Sequence, residues 1–419
     1  MEKIYFCIDL KSFFASVECV ERKLDPFAAN LVVADPSRGN GAICLAVSPA
    51  MKKLGVRNRC RVYEIPKNIS YIVASPRMKV YMEYSSKMYS IYLKYVHKDD
   101  VHVYSIDEAF LDVTNYLNLY KNDYINLCKM ITDTIFKETG ITASAGIGTN
   151  MYLSKIALDI IAKRTKDNVG FLNEELYKKE LWYHEPLSDF WQIGRGIQKR
   201  LNNMGINNMY DISNCEEYKL YKEFGINAKS LIDHSNGIEK CTIKEIKEYK
   251  PKSNSLSFSQ ILFEDYNYNK AKLIVKEMVD IGSLELVRRD LVTDSIYLYI
   301  GYSKDKIKSS KGTLKMIETT NVYSIMLEYF LDLYEKIVNK EILIRKIGIA
   351  FLNIGNKKFE QLDLFSNQIE IEEEQKIEKI INNIKIKHGK NAILRGINLE
   401  EGATSKIRNK LIGGHKSGE

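Results

Sequence analysis

The stretch Val101-His102-Val103-Tyr104-Ser105-Ile106-Asp107-Glu108-Ala109-Phe110-Leu111-Asp112-Val113-Thr114 decides the reading of this chain, because it sets two adjacent carboxylates between two apolar, strand-like runs. Successive side chains on a regular strand point to opposite faces, so aiming neighbouring acids at one point takes a turn or a bulge. Asp107 and Glu108 are therefore placed at a hairpin tip. A second run, Ile4-Tyr5-Phe6-Cys7-Ile8, is long enough for a buried central strand and ends in Asp9. Three carboxylates then converge on one sheet edge. Hard cations such as magnesium take oxygen ligands, so a metal ion is their natural target. Taken singly, Asp9 is better read as a helix cap or turn residue, and Asp107 and Glu108 as turn acids; the conjunction is what favours chemistry.

Working outward, 419 residues exceed one ordinary core and predict about three domains. With 45% hydrophobic and 28% charged residues, the composition is that of a soluble globular protein. The net charge of +8 favours a polyanionic partner without proving one. Seven cysteines, at 7, 19, 44, 60, 128, 215 and 241, form no CxxC pair and read as buried thiols in a reducing compartment. The six histidines are dispersed, which argues against a structural zinc site. No signal-like segment precedes Ile4 and no run of about 18 apolar residues occurs. A cytoplasmic protein with no membrane partner is expected.

The run Asp9-Leu10-Lys11-Ser12-Phe13-Phe14-Ala15-Ser16-Val17-Glu18, with SIDEAFLDV (105–113) and SAGIGTNMYLSKIA (144–157), resembles the Y-family DNA polymerases of the bacterial DinB/UmuC type. The likeness is closest to the UmuC-like branch of Gram-positive bacteria, whose ending resembles EGATSKIRNKLIGGHK (401–416). It implies an α+β multidomain right hand: palm (1–11 and 79–169), small fingers (12–78), a helical thumb with a helix-hairpin-helix (170–240), a linker (241–253), an α+β little finger (254–355) and a C-terminal tail (356–419). It also implies a low-fidelity translesion DNA polymerase that serves DNA repair and damage tolerance, by adding deoxynucleotides to a primer 3′-hydroxyl. In that reading Asp9 and Asp107 bridge two Mg2+ ions, with Mn2+ as a substitute. Glu108 helps hold the ion at the primer terminus, and the Leu10 carbonyl ligates the other.

After Asp9, Ser12 is a candidate cap for a helix whose apolar face takes Phe13, Phe14, Val17 and Val20. Phe13 and Phe14 are adjacent and cannot both face the core equally. Residues alone read them as core; the resemblance places Phe13 and Phe14 at the nucleotide, with Phe14 the gate under its sugar. Pro49 to Gly55 reads as a short glycine-closed helix in the fingers. There Lys52 matches the family's triphosphate arginine and Pro49 stands in the place of its tyrosine. A lysine is a point charge without the arginine fork, and a solvated helix lysine is the alternative. SAGIGTN reads as a strand and a glycine turn that can cradle phosphate before a helix. Lys155 and Lys163, eight apart, lie near one face of that helix. Lys163 resembles the second triphosphate lysine, at a spacing one residue longer than in some relatives.

Trp191 to Arg200 looks like a helix-hairpin-helix turn, whose Gly194, Arg195, Gly196 and Lys199 hold a DNA phosphate; a tight turn between packed helices is the alternative. The stretch 241–253 is charged, lacks apolar periodicity and contains Pro251. Beyond it, strand-like and helical runs alternate, and a lysine-rich loop offers Lys306, Lys308 and Lys311 as a phosphate patch, each equally readable as a solvated lysine. Gln361-Leu362-Asp363-Leu364-Phe365 resembles the bacterial sliding-clamp-binding pentapeptide, one leucine and one phenylalanine on an extended segment. The run 369–387 is a charged amphipathic helix that is packed, solvated or partner-binding. The partners implied are primer–template DNA, deoxynucleoside triphosphates, the sliding clamp and accessory SOS proteins, around a monomer. Two other classes remain. A nucleotidyl cyclase or related palm-fold transferase would share the acids but would not need Gly194 to Gly196 or the clamp motif. A clamp-tethered, non-catalytic DNA-binding factor would tolerate loss of Asp107.

Overall fold

A computed structural model of the protein describes residues 3–251, 254–303, 307–356 and 368–418. The chain divides into two compact units, Met1–Tyr249 with His415–Glu419, and Lys250–Gly414.

The first unit opens with β1 (Tyr5–Leu10), nearly all of it buried. Helix α1 (Phe13–Glu21) follows at once. Ser12 does not cap it through its hydroxyl; it sits at φ 51°, and its carbonyl accepts the Ser16 amide. Strand must become helix within two residues, and the left-handed Ser12 makes that turn in place of the cap. The fingers contain β2 (Leu31–Val33), β3 (Ala46–Val47), α2 (Pro49–Lys53) and β4 (Ile72–Ala74), with β3 antiparallel and β4 parallel to β2. Here the cap forms as the sequence requires: Ser48 Oγ accepts the Met51 amide at 3.2 Å, proline takes the first helical position, and Gly55 at φ 84° lets the chain leave.

Helix α3 (Met78–Tyr92), β5 (Val101–Val103), β6 (Glu108–Asp112), α4 (Tyr124–Thr139), β7 (Ala143–Gly148), α5 (Met151–Ile156) and β8 (Val169–Leu172) complete the palm. Its sheet runs β5-β6-β1-β7-β8, with β1 antiparallel to both neighbours. Because β8 pairs parallel with β7, the palm extends through Leu172, past the expected boundary at 169. The thumb consists of α6 (Glu174–Leu181), α7 (Arg195–Asn203), α8 (Met209–Asn214), α9 (Glu217–Phe224) and α10 (Ala228–Ser235), whose apolar core is continuous with Tyr152, Leu153 and Ile156 of α5. The expected linker is partly structured: α11 (Ile243–Glu248) starts at a capping box of Thr242 and Glu245. Ile243 is buried beside Tyr5, Cys7 and Phe110. One apolar anchor in a turn and a half of charged residues is too little to register as periodicity.

The second unit begins with β9 (Leu256–Tyr266), α12 (Tyr268–Arg288), β10 (Leu291–Tyr302), β11 (Ser310–Thr320), α13 (Tyr323–Ile337) and β12 (Ile344–Leu352). The sheet order is β11-β10-β12-β9, and Ile296, Leu298 and Ile300 share one apolar core with α12 and α13. Strand β11 replaces the lysine-rich loop that the sequence suggested at Lys311. As an edge strand it is mostly polar on its open face, so the sequence carries no continuous apolar signal. The unit also includes much of the expected tail. Helix α14 (Gln368–His388) lies on α12, and Glu277, buried on α12, accepts the amides of Thr404 and Ser405 at 2.8 and 3.0 Å. Among the described residues no helix is long and apolar enough to cross a membrane.

Candidate active site

Strands β1 and β6 set Asp9 in register opposite Glu108, and the Leu10 amide donates to the Asp107 carbonyl at 3.1 Å. The amides of Tyr104 and Ser105 both donate to the Glu108 carbonyl, at 2.9 and 3.0 Å, which closes the hairpin tip. Ser105 Oγ donates to Asp107 Oδ1 at 2.6 Å. The three predicted acids thus occupy one sheet edge. Burial pushes the Asp9 carboxyl up to about 7, and the charges of Asp107 and Glu108 add to the shift. Three carboxylates crowded until one holds its proton near neutrality are relieved by a cation.

The donors, all hard oxygens on one edge, fit a divalent ion. Among the described residues, however, no three acidic, histidine or cysteine side chains close on a single point. Asp107 is held by Ser105, and Glu108 is held by Lys155 Nζ at 2.8 Å and by the Cys7 thiol at 3.1 Å.

Lys155 reaches Glu108 because α5 lies directly on β7. A Cβ on Gly146 would meet the Ser154 carbonyl oxygen at 2.0 Å, and one on Gly148 would meet the Ser154 nitrogen at 2.2 Å. These glycines serve backbone-to-backbone packing. They are not the phosphate cradle that the sequence suggested: the first turn of α5 is buried, and Asn150 Oδ1 already accepts the Leu153 amide at 2.8 Å. Burial works to lower the Lys155 pKa, but Cys7, Asp159 and Glu108 outweigh it and raise it.

Ala157–Ile161 then winds as a π-turn. A π-turn takes up one extra residue, so the eight residues from Lys155 to Lys163 still cover about two turns. The unusual spacing is thereby absorbed. Burial lowers the Lys52 pKa, Asp9 opposes the shift and Lys163 adds to it, so Lys52 lies within the field of both. Lys11, which the sequence reading left out, joins them: burial and the charge of Lys52 lower its pKa, and its Nζ donates to Asn168 Oδ1. The available signals were a cation two residues after Asp9 and, for Lys155, an acid four residues on at Asp159.

On α1, Phe13 is buried and Phe14 is half-buried, as adjacency demands. Phe14 stacks on Tyr81 with ring centroids 4.5 Å apart and planes 21° apart. Tyr81 Oη donates to Glu18 Oε1 at 2.7 Å, and Arg77 clamps the same carboxylate with bonds of 2.9 and 3.0 Å. The aromatic platform under Phe14 is therefore fixed by a buried, charge-assisted network.

In the thumb, Gln192 at φ 70° turns the chain into α7, whose first residues have no side-chain cap. Gly194, Arg195, Gly196 and Lys199 are exposed there, which leaves amides and cations open to a phosphate. Arg200 is committed elsewhere: it pairs with Glu223 at 2.6 Å and covers the Phe224 ring. In the second unit Lys308 is exposed, and Lys311 stands opposite Tyr299 on the open face of the sheet. Lys346 Nζ lies 5.5 Å from the Tyr299 ring centroid, beside a shallow groove of about 270 Å³ lined by Ser257, Ser259, Tyr297 and Gly348. Tyr297, Tyr299 and Lys346 were missed because β10 and β12 read mainly by their apolar alternation. Lys306 and the segment Gln361 to Phe365 lie outside the described residues.

Residues 8–159 match the impB/mucB/samB family, and residues 253–364 match that family's C-terminal domain. Over 423 aligned positions the chain is 32% identical to UvrX of Bacillus subtilis (strain 168), described as a UV-damage repair protein, with 99% of this chain and 98% of UvrX covered. The chain belongs to the Y-family DNA polymerases of the UmuC/DinB type. This Y-family chain is also 29% identical to DNA polymerase IV 2 of the same organism, with 99% of each covered. It shares its fold with a solved chimera of the Y-family DNA polymerases Dbh and Dpo4, at a TM-score of 0.65 and 22% identity over 84% of this chain and 99% of the chimera.

Proposed function

We propose that this Y-family chain performs template-directed, low-fidelity DNA synthesis across damaged templates, extending a primer 3′-hydroxyl with deoxynucleotides. The observation that supports this reading is the convergence of Asp9, Asp107 and Glu108 on one edge of the palm, with Lys52 of the fingers in the field of Asp9 and of Lys163: acids suited to cations and lysines suited to a triphosphate.

Divalent metal use belongs to the fold family in general. Two ions, Mg2+ or in its place Mn2+, would neutralise charge on the attacking oxygen, the transferred group and the departing pyrophosphate. Asp9 and Asp107 would bridge them, Glu108 would serve the primer side, and the Leu10 carbonyl the nucleotide side. Lys52, Lys163 and Lys11 hold the triphosphate by charge. Phe14, braced by Tyr81, excludes a 2′-hydroxyl. Gly194, Arg195, Gly196 and Lys199, with Lys308 and Lys311, take DNA phosphates, so affinity falls steeply with salt. Recruitment by the sliding clamp through Gln361 to Phe365, work in the cytoplasm and assistance from SOS proteins complete the proposal on the strength of sequence resemblance.

The test is extension of a primed template with magnesium and four deoxynucleotides. Wild type extends and Asp107→Ala does not, while both bind DNA alike. Extension by Asp107→Ala at the wild-type rate overturns the assignment of the acids.

A further inference from the structure

Helix α14 packs inside out. With about 100° per residue, Ile369, Ile377, Ile380 and Ile384 fall within roughly 80° of arc. Ile369, Ile377 and Ile380 on that arc are 71%, 55% and 57% exposed. The opposite face turns inward and is largely polar: Glu374 accepts the Ser324 amide at 3.0 Å, Asn382 Nδ2 donates to the Leu284 carbonyl at 3.0 Å, and Glu378 is fully buried. A surface helix normally buries its apolar stripe and exposes its charged one. Here polar contacts secure the helix to its own unit, and the isoleucines are left for a second surface.

Charge selects that surface. Helix α14 begins with Glu370, Glu372, Glu373 and Glu374 and ends with Lys385, Lys387 and His388. Beside its acidic start lies a groove of about 590 Å³ lined by Glu318, Glu328, Asp332, Glu370 and Glu374. The complement of an acidic start and an acidic groove is a basic helix end, and this chain carries one on the same helix, within about a turn of Ile384.

We propose that α14 is a self-association helix, through which two copies of the chain pair antiparallel about a two-fold axis. A two-fold pairing is self-complementary, so each contact occurs twice. The register that sets Ile377 of one copy against Ile380 of the other also sets Glu370 against Lys387, and brings the basic end of each helix to the acidic groove of its partner. Parallel pairing would instead oppose like charges along the whole length. A single helix pair is a small interface, so the association is micromolar and concentration-dependent, and it strengthens where two copies are held on one DNA. This sets aside the monomer that the resemblance implied.

Sedimentation equilibrium of the full chain across the micromolar range tests the proposal. The weight-average mass of wild type rises from that of one chain toward two. Ile377→Lys with Ile380→Lys keeps it at one, with primer extension in dilute solution unchanged. Glu370→Lys and Lys387→Glu alone each weaken pairing about two- to tenfold, and together in one chain they restore it. A wild-type mass that stays at one chain leaves the isoleucines to a different protein and overturns self-pairing. Failure of the double charge reversal to restore pairing overturns the antiparallel arrangement.

Discussion

Lys155 Nζ stands 2.8 Å from Glu108 Oε1, so the helix laid on the glycine strand holds one of the three site acids by charge. Both side chains are only 10% exposed. Removing one partner of so sheltered a pair leaves the other charge uncompensated. In Lys155→Met, Glu108 loses its orientation, and primer extension falls about 10- to 100-fold with a higher magnesium requirement, whereas Lys155→Arg retains most of both. Steady-state extension against magnesium concentration measures it. A purely structural lysine would lower the melting temperature and leave the magnesium midpoint in place.

Phe13 and Phe14 separate into two roles that different assays read. Phe14→Ala opens the space above Tyr81 and reduces discrimination against ribonucleotides about 10- to 100-fold, measured as the ratio of kcat/KM for the two sugars. Phe13→Ala, at a buried core position, costs about 3–5 kcal/mol of stability. Unchanged sugar selection in Phe14→Ala would move the gate to another residue.

The π-turn at Ala157–Ile161 lies between Lys155 and Lys163 and takes up one extra residue. Deleting Ile161 lets the helix run on in ordinary α geometry and leaves Lys163 on the same face. The deletion then keeps KM for deoxynucleotides near its wild-type value, whereas Lys163→Ala raises it, with DNA affinity preserved in both. A deletion that raises KM as Lys163→Ala does would show that the π-turn does not absorb the extra residue.

Glu378 gives a pH dependence of known sign. Burial pushes its carboxyl from 4.5 up to about 8, the nearby Glu374 adds to the shift, and its Oε2 has no hydrogen-bond partner among the described residues. Between those values the unfolded chain has released the proton and the folded one retains it. The unit therefore loses stability as pH rises from about 4.5 to about 8 and loses no more above that. Glu378→Gln removes this loss. Its melting temperature exceeds wild type at pH 8, and the gap closes at pH 4.5. A gap that is the same at both pH values would trace to packing.

Most of the order of elements, though not α11 or β11, the placing of Asp9, Asp107 and Glu108 at strand ends, the division between Phe13 and Phe14, and the position of α14 were legible in the sequence. Each rests on local rules: strand alternation, adjacency, turn chemistry and helical period. What the sequence by itself determined is therefore which side chains stand at the ends of which elements. Only the tertiary structure decided what those side chains meet. Gly146 and Gly148 look like a phosphate loop until α5 is found lying on them. Lys155 looks like a helix-face lysine until that packing brings it to Glu108. Lys11 and Asn168, 157 positions apart, meet only because β1 and β8 flank β7. The polar face of α14 looks solvated until α12 covers it. Close approach, charge pairing and burial depend on distances between residues remote along the chain, and a sequence read locally contains the groups but not those distances.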